Sequence, residues 1–217
     1  MGNGEWGMEN EKKGRRHSPP PPCLHSPFSI PHSPFPIPHS PFLRLFLTGA
    51  RGSGKTTVAG LLAARLGWAA IDADAELEVR AGTSIRELFA RHGEAYFREL
   101  EAGLLGELAR RERVVVATGG GVVLRPENRE LLRRSGPVVW LRASPEVMWA
   151  RVAEDPSSAD RRPNLAGGGL DEMRQVLAAR EALYRECADH AVETGGRSPE
   201  EVAGEVFAWW SGRERLE

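Results

Sequence analysis

The chain has 217 residues, with 29 basic against 30 acidic side chains. That length suits one domain, or one domain with a tail, and the near-neutral balance argues against a nucleic-acid or membrane protein held by bulk charge. No stretch approaches the roughly 18 uninterrupted apolar residues of a membrane helix, and Cys23 and Cys187 belong to no Cys-x-x-Cys or Cys/His cluster, which excludes a disulfide scaffold or zinc site and fits reduced thiols in a cytoplasmic protein.

Residues 1–42 hold ten of the 16 prolines and four of the six histidines, and His-Ser-Pro-Phe recurs from His25, His32 and His39 with period seven. Proline at this density removes backbone donors and fixes φ, so the segment reads as a disordered extension. The basic residues Lys12, Lys13, Arg15 and Arg16 are followed by no apolar run of the kind a secretory signal needs. Glu5, Glu9 and Glu11 fit a transit peptide poorly. The repeat is either a site for a metal or a proline-reading partner, or a non-functional extension.

From Leu43 the pattern changes, and 43–217 reads as one folded domain. Arg44–Thr48 is a short apolar run, expected to be a buried strand. Residues 54–66 have helical spacing, with Val58, Leu61, Leu62 and Leu66 on one face. Ala69–Ile71 reads as a second strand ending at Asp72, and 74–81 and 84–112 as helix broken near Gly82 and Gly93. Val114–Ala117 is a strand running into Thr118-Gly-Gly-Gly121. A helix over about 126–135 opens on Pro126, and Val138–Leu141 is the next strand. Ser144-Pro145 then starts a helix. A Gly/Pro-rich loop spans Arg161 to Gly169, followed by a helix over 170–187, a short strand at Ala191-Val192 and a last helix from Ser198-Pro199. Strands alternating with helices imply a parallel sheet covered on both faces, with ligands bound beyond the carboxyl ends of the strands.

Gly49-Ala50-Arg51-Gly52-Ser53-Gly54-Lys55-Thr56 matches Gly-x4-Gly-Lys-[Ser/Thr] in full, between a strand and a helix. Its backbone N–H groups and the helix N-terminus, continuing through Thr57, form an ATP phosphate cradle. Lys55 reaches the β- and γ-phosphates, and the Thr56 hydroxyl ligates Mg²⁺. The guanine-reading Asn-Lys-x-Asp motif is missing from the sequence, which disfavours a GTPase and leaves a small-molecule kinase.

Asp72 and Asp74 are two apart; in a strand-like segment both carboxylates face the phosphate loop. One then holds Mg²⁺ through water and the other accepts a hydrogen bond from an attacking hydroxyl. The alternative is that Asp74 caps the following helix. Glu94, Arg98 and Glu101 share a helix face, either as a surface charge ladder or with Glu101 holding Arg98 toward an anionic substrate. Arg180 is either an anion ligand or the polar edge of its helix. Arg161-Arg162-Pro163, close to Gly167–Gly169, has the composition of a mobile lid, or of a solvated basic loop.

From 43 to about 210 the chain resembles the shikimate kinase family. The resemblance runs through the P-loop, Asp72-Ala-Asp74, Gly93-Glu-x-x-Phe97-Arg98-x-x-Glu101, Thr118-Gly-Gly-Gly-x-Val123, Arg162-Pro163 and Arg180-x-x-Leu-Tyr184. Gluconate kinase and adenylate kinase share the P-loop and a lid, but not this set in this order. The resemblance implies a three-layer α/β/α fold on a five-stranded parallel sheet with a mobile lid. It implies ATP-dependent phosphorylation of the 3-hydroxyl of shikimate by a monomer. Asp72 then serves the Mg²⁺ site with Thr56, and Asp74 holds the shikimate hydroxyls and orients or deprotonates the 3-hydroxyl. Arg98 and Arg180 bind the shikimate carboxylate, and Gly119, Gly120 and Gly121 line its pocket. Arg162 is similar to the lid arginine that meets the phosphates. Arg197 resembles the loop residue that packs on adenine, with Arg151 on the opposite side. The two apolar residues usual after the lid's Arg-Pro are here Asn164 and Leu165, which bears on lid closure rather than on the chemistry. A kinase of another hydroxy acid such as gluconate, or a catalytically silent nucleotide-dependent regulator, are the competing readings.

Overall fold

The computed structural model describes residues 43–154 and 169–213; the Pro/His repeat and the expected lid with Arg162 lie outside them. Within these residues the strands are β1 (Arg44–Thr48), β2 (Ala69–Asp72), β3 (Val114–Ala117), β4 (Val138–Arg142) and β5 (His190–Glu193). The helices are α1 (Lys55–Leu66), α2 (Ala73–Ala81), α3 (Ile85–Leu108), α4 (Pro126–Ser135), α5 (Pro145–Glu154), α6 (Leu170–Cys187) and α7 (Pro199–Arg213), with a 3₁₀ turn at Val122–Leu124 before α4.

The five strands form one parallel sheet in the order β2-β3-β1-β4-β5. The central strand β1 is flanked on both edges and covered on both faces, which is why Leu45, Phe46 and Leu47 form an unbroken apolar run with no exposed surface. Alternate residues go to opposite layers. Phe46, Val114, Val116, Val138 and Trp140 pack with Phe97, Leu104, Leu108 and Tyr184 of α3 and α6. Leu45, Leu47, Val115, Val139 and Leu141 pack with Leu62 and Leu66 of α1 and Val206 and Trp210 of α7. This is the expected three-layer α/β/α fold.

The helix ends follow their local chemistry. Gly67, in left-handed conformation, closes α1 by donating to the Ala63 carbonyl. Ser84 and Glu87 form a reciprocal capping box at the start of α3, and Ser198 with Glu201 does the same ahead of α7. The Ser144 hydroxyl caps α5 through the Val147 N–H.

One expected element boundary needs correction. The helix expected to reach residue 112 stops at Leu108, because the N–H groups of Arg110 and Arg111 bond to the carbonyls of Glu107 and Leu108, three residues back. This tightening ends the helix, and Arg113 then turns through φ 54 into β3. The break at Gly93 is real, with φ 79 and ψ 174, and it splits α3 into two arms. The second arm carries Arg98 and Glu101. Cys187 lies in the core, and burial pushes its thiol up to about 11; it stays protonated at neutral pH and acts as a small apolar filler.

Leu62 has no exposed surface at the α1–sheet contact, whereas Val79 on α2 is 79% exposed. Leu62→Ala is expected to lower unfolding stability by about 2–5 kcal/mol, and Val79→Ala to change it by no more than about 0.5 kcal/mol, as measured by urea unfolding.

Candidate active site

A cavity of about 520 Å³ opens beyond the carboxyl ends of the strands, where open parallel sheets place their ligands. Arg51 to Thr57 form its floor, Asp72 and Asp74 one wall, Thr118 and Gly120 the back, and Arg151, Thr194 and Arg197 the far side. The loop from Gly49 connects β1 to α1, and Gly54, in left-handed conformation, sits at the N-cap. Gly52 has φ +80, and a Cβ on it would lie 2.4 Å from the Met148 carbonyl oxygen. Only glycine lets the loop pass α5 this closely. Ala50 packs against Ala143 and Met148. Lys55 curls back over the loop, donating through Nζ to the Ala50 carbonyl at 2.9 Å and to Ser53 Oγ at 3.5 Å.

The Thr56 hydroxyl donates to Asp72 Oδ2 at 2.5 Å, and Asp72 Oδ1 accepts from the Ala75 N–H at 3.1 Å. Asp72 is therefore the N-cap of α2, and Asp74 stands in its first turn. Both carboxylates border the cavity as expected, but not through strand alternation, since the helix begins at Ala73. The capping role weighed for Asp74 belongs to Asp72. Two carboxylate oxygens and a hydroxyl are hard donors of the kind that suits Mg²⁺, which keeps waters and takes its remaining ligands from phosphates rather than from an all-protein cage.

Arg98 is buried, and each of its three guanidinium nitrogens donates a hydrogen bond. Nη1 donates to Glu101 Oε2 at 2.7 Å, while Nε and Nη2 both donate to Glu94 Oε1 at 3.1 and 2.8 Å. Glu101 is itself buried, whereas Glu94 is half-exposed. The ladder reading thus fails for Arg98 and Glu101, which form a buried pair. The guanidinium presses on Gly121 so closely that a Cβ there would sit 2.3 Å from Nη1. Arg180, from α6, donates to the carbonyl of the adjacent Gly120 at 3.2 Å. Arg98, Arg180 and the glycine segment are brought together from three separate stretches of chain, with Asp74 and Gly120 on the same cavity. Gly119 closes the turn by accepting from the Val122 N–H at 3.1 Å.

At the far side, Arg151 donates to the carbonyls of Gly52 and Thr194 and to the Thr194 hydroxyl at 3.3, 2.7 and 3.0 Å. It thereby ties the phosphate loop to the turn after β5. Arg197 faces the same space and is held by Glu205 Oε2 at 2.5 Å and by the Glu193 and Glu201 carbonyls. The roles of Thr194 and Glu205 were not legible in the sequence. Nor was that of Tyr184, which donates to Gly120 O at 2.5 Å; the sequence marks it only as the end of the motif Arg180-x-x-Leu-Tyr184, four residues on from Arg180 along one helix face.

The family model of shikimate kinase matches residues 51–211. The chain belongs to the shikimate kinase family. It is 45% identical over 164 residues to the shikimate kinase of Rhodopirellula baltica, covering 75% of this chain and 88% of that one. It is 50% identical over 150 residues to the shikimate kinase of Nitratidesulfovibrio vulgaris, covering 69% and 85%. Among solved structures it resembles the shikimate kinase of Acinetobacter baumannii in complex with shikimate, with TM-score 0.75, 33% identity and coverage of 80% of this chain and 95% of that one. A gluconokinase from Sinorhizobium meliloti, 19% identical with TM-score 0.50 and coverage of 80% and 94%, shares the fold alone.

The family's phosphate loop depends here on Gly52. Gly52→Ala forces both a left-handed alanine and a contact with fixed backbone, and is expected to cost about 1–3 kcal/mol of stability and to weaken nucleotide binding. Urea unfolding and titration with a fluorescent ATP analogue measure the two effects.

Proposed function

We propose that this shikimate kinase family member transfers the γ-phosphoryl group of ATP to the 3-hydroxyl of shikimate, giving ADP and shikimate 3-phosphate. The observation that carries the reading is the meeting of Arg98 and Arg180 on adjacent glycines, Gly121 and Gly120, of which Gly120 lines the P-loop cavity. Two guanidiniums converging there suit a carboxylate through charge-assisted, planar hydrogen bonds. Asp74, across the cavity, supplies the carboxylate that a ring hydroxyl needs.

In this reading the acceptor carboxylate sits between Arg98 and Arg180, with Gly119 to Gly121 along the ring. That fixes the 3-hydroxyl near Asp74 and in line with the γ-phosphorus. The hydroxyl oxygen forms the new O–P bond as the bond to the β-phosphate oxygen breaks, and its proton passes to Asp74. The amides of Gly49 to Thr57 and the Lys55 ammonium stabilise charge spread over the phosphoryl oxygens. Thr56 and Asp72 would hold Mg²⁺, which would supply neutralisation of the charge on the phosphates. Arg162 closes on the phosphates, and water exclusion limits transfer to solvent. Arg197 and Arg151 form the two sides of the adenine slot. Every group invoked comes from one chain, which suits a monomer. Among the described residues no helix is long and apolar enough to cross a membrane, and a cytoplasmic site of action is proposed with it.

Gluconate also carries a carboxylate that two arginines could hold, so what favours shikimate is the family match over residues 51–211 and the 45–50% identity to shikimate kinases. A silent regulator would not need Lys55, Asp74 and both arginines intact. Coupled ADP release from purified protein with shikimate, with gluconate and with neither separates the three readings. A rate dependent on shikimate is expected, whereas a rate with gluconate alone, or none with either acceptor, sinks the assignment.

Two substitutions test the roles. Lys55→Ala is expected to lower kcat by about 10²-fold or more, and a rate within about threefold of the parent would remove Lys55 from the transition state. Arg98→Lys keeps the charge and loses the fork. It is expected to raise the KM for shikimate with little change in the KM for ATP, as read by steady-state titration of each substrate.

A further inference from the structure

We propose that Tyr184 is a positioning residue for the acceptor site: its hydroxyl holds the Gly120 carbonyl so that Arg180 is free to exchange that carbonyl for an acceptor carboxylate. The inference rests on the proposed shikimate reading and extends it to a residue to which the reaction itself gives no part.

Tyr184 has no exposed surface, and its ring stacks on Trp140 of β4 with centroids 5.9 Å apart and planes 23° apart. The ring is thus fixed by the core, and the hydroxyl is delivered to one place, the Gly120 oxygen at 2.5 Å. Arg180, one helical turn earlier on α6, donates to the same oxygen at 3.2 Å. Residues four apart on a helix share a face, which explains how one carbonyl gathers both donors. A carbonyl oxygen has two lone pairs and accommodates them together.

The two donors differ in strength and mobility. The phenol bond is short and its donor is locked by packing. The guanidinium bond is longer, and its donor sits on a flexible stem. Gly120 also presses against the phosphate loop: a Cβ on it would lie 3.3 Å from the Gly49 carbonyl oxygen and 3.6 Å from the Arg51 nitrogen. A shift of this peptide would therefore disturb both halves of the site.

A buried carbonyl that loses its donor incurs a desolvation penalty. With Tyr184 in place, Arg180 can leave Gly120 for an anion and the oxygen keeps a partner. Without the hydroxyl, recruiting Arg180 to the acceptor deprives the same carbonyl of that partner. The penalty then falls on acceptor binding rather than on the nucleotide or on the transfer step.

Tyr184→Phe keeps the ring and its stack on Trp140. After the wild-type chain has been shown to phosphorylate shikimate, this variant is expected to raise the KM for shikimate roughly tenfold, with the KM for ATP within about twofold and kcat within about threefold of the parent. Failure of the wild-type control overturns the shikimate reading, whereas failure of this pattern in an active enzyme overturns the role of Tyr184 alone. The effect should also disappear once Arg180 is removed: in an Arg180→Ala background, Tyr184→Phe is expected to leave kcat/KM for shikimate unchanged within about twofold. A purely structural role predicts instead an equal rise in both KM values and additive losses in the double variant, and either result overturns the proposal. Should Tyr184→Phe not fold, Arg180→Ala decides. With Tyr184 holding the carbonyl, that variant must retain the parent's thermal midpoint and KM for ATP. A fall of several degrees would show that Arg180 holds the segment and would overturn the proposal.

Discussion

Thr118 donates twice to one oxygen, the Leu47 carbonyl, through its N–H and its hydroxyl, both at 3.0 Å. This pair of bonds continues the β1–β3 ladder one residue past Ala117. It fastens the start of the glycine segment to the strand that feeds the phosphate loop. Because the sheet is parallel, both strands release their chains on the same edge, and the two loops have to share the space beyond it. Gly120 against Gly49 and Gly121 against Arg98 are the contacts that result. The glycines are there because two backbones and a guanidinium occupy the volume that side chains would take.

Charge imposes the second constraint. The site gathers Lys55, Arg98, Arg151, Arg180 and Arg197, and each has a carbonyl, hydroxyl or carboxylate partner. Arg98, the buried one of the five, demands such partners most, because stripping a buried cation of its counter-charge costs several kcal/mol, on the order of 3–5. The partners are unequal, however. Arg98 has a buried companion in Glu101 and a half-exposed one in Glu94. A pair with one member in solvent contributes little, so the Glu94 side of the fork is the exchangeable one. In the proposed reaction the acceptor carboxylate takes that side while Glu101 stays. The proposed role of Tyr184 makes the same division at Gly120, with Tyr184 fixed and Arg180 exchangeable.

The fold's layers could be anticipated because they rest on local periodicity. Apolar runs such as Arg44–Thr48 and Val114–Ala117, separated by segments of helical spacing, fell where expected, as did the proline and serine starts of α4, α5 and α7. Family motifs pointed to Asp74, Arg98 and Arg180; the structure sets Arg98 and Arg180 on the adjacent Gly121 and Gly120, and Asp74 on the cavity that Gly120 lines. Local reading failed at two element ends. The end of α3 at Leu108 follows from bonds three residues back, and the cap of α2 at Asp72 rather than Asp74 follows from where β2 stops. The first leaves no side-chain signature, and the second leaves an ambiguous one, because Asp72 and Asp74 are both residues that cap helices.

The sequence alone determined that this chain binds phosphate on a glycine-rich loop between a strand and a helix, since residue types at fixed short spacing dictate that geometry. It also determined the alternation that makes the sheet parallel. Only the tertiary structure decided which groups meet across long stretches of chain. Arg180 and Tyr184 lie 60 and 64 residues from Gly120, and Arg151 lies 43 from Thr194. Each of these three pairs includes a bond to a peptide carbonyl, which every residue carries, and no spacing in the sequence marks one carbonyl among the rest. Packing of α6 on Trp140 selects it, because the rigid Tyr184 ring has one place to deliver its hydroxyl.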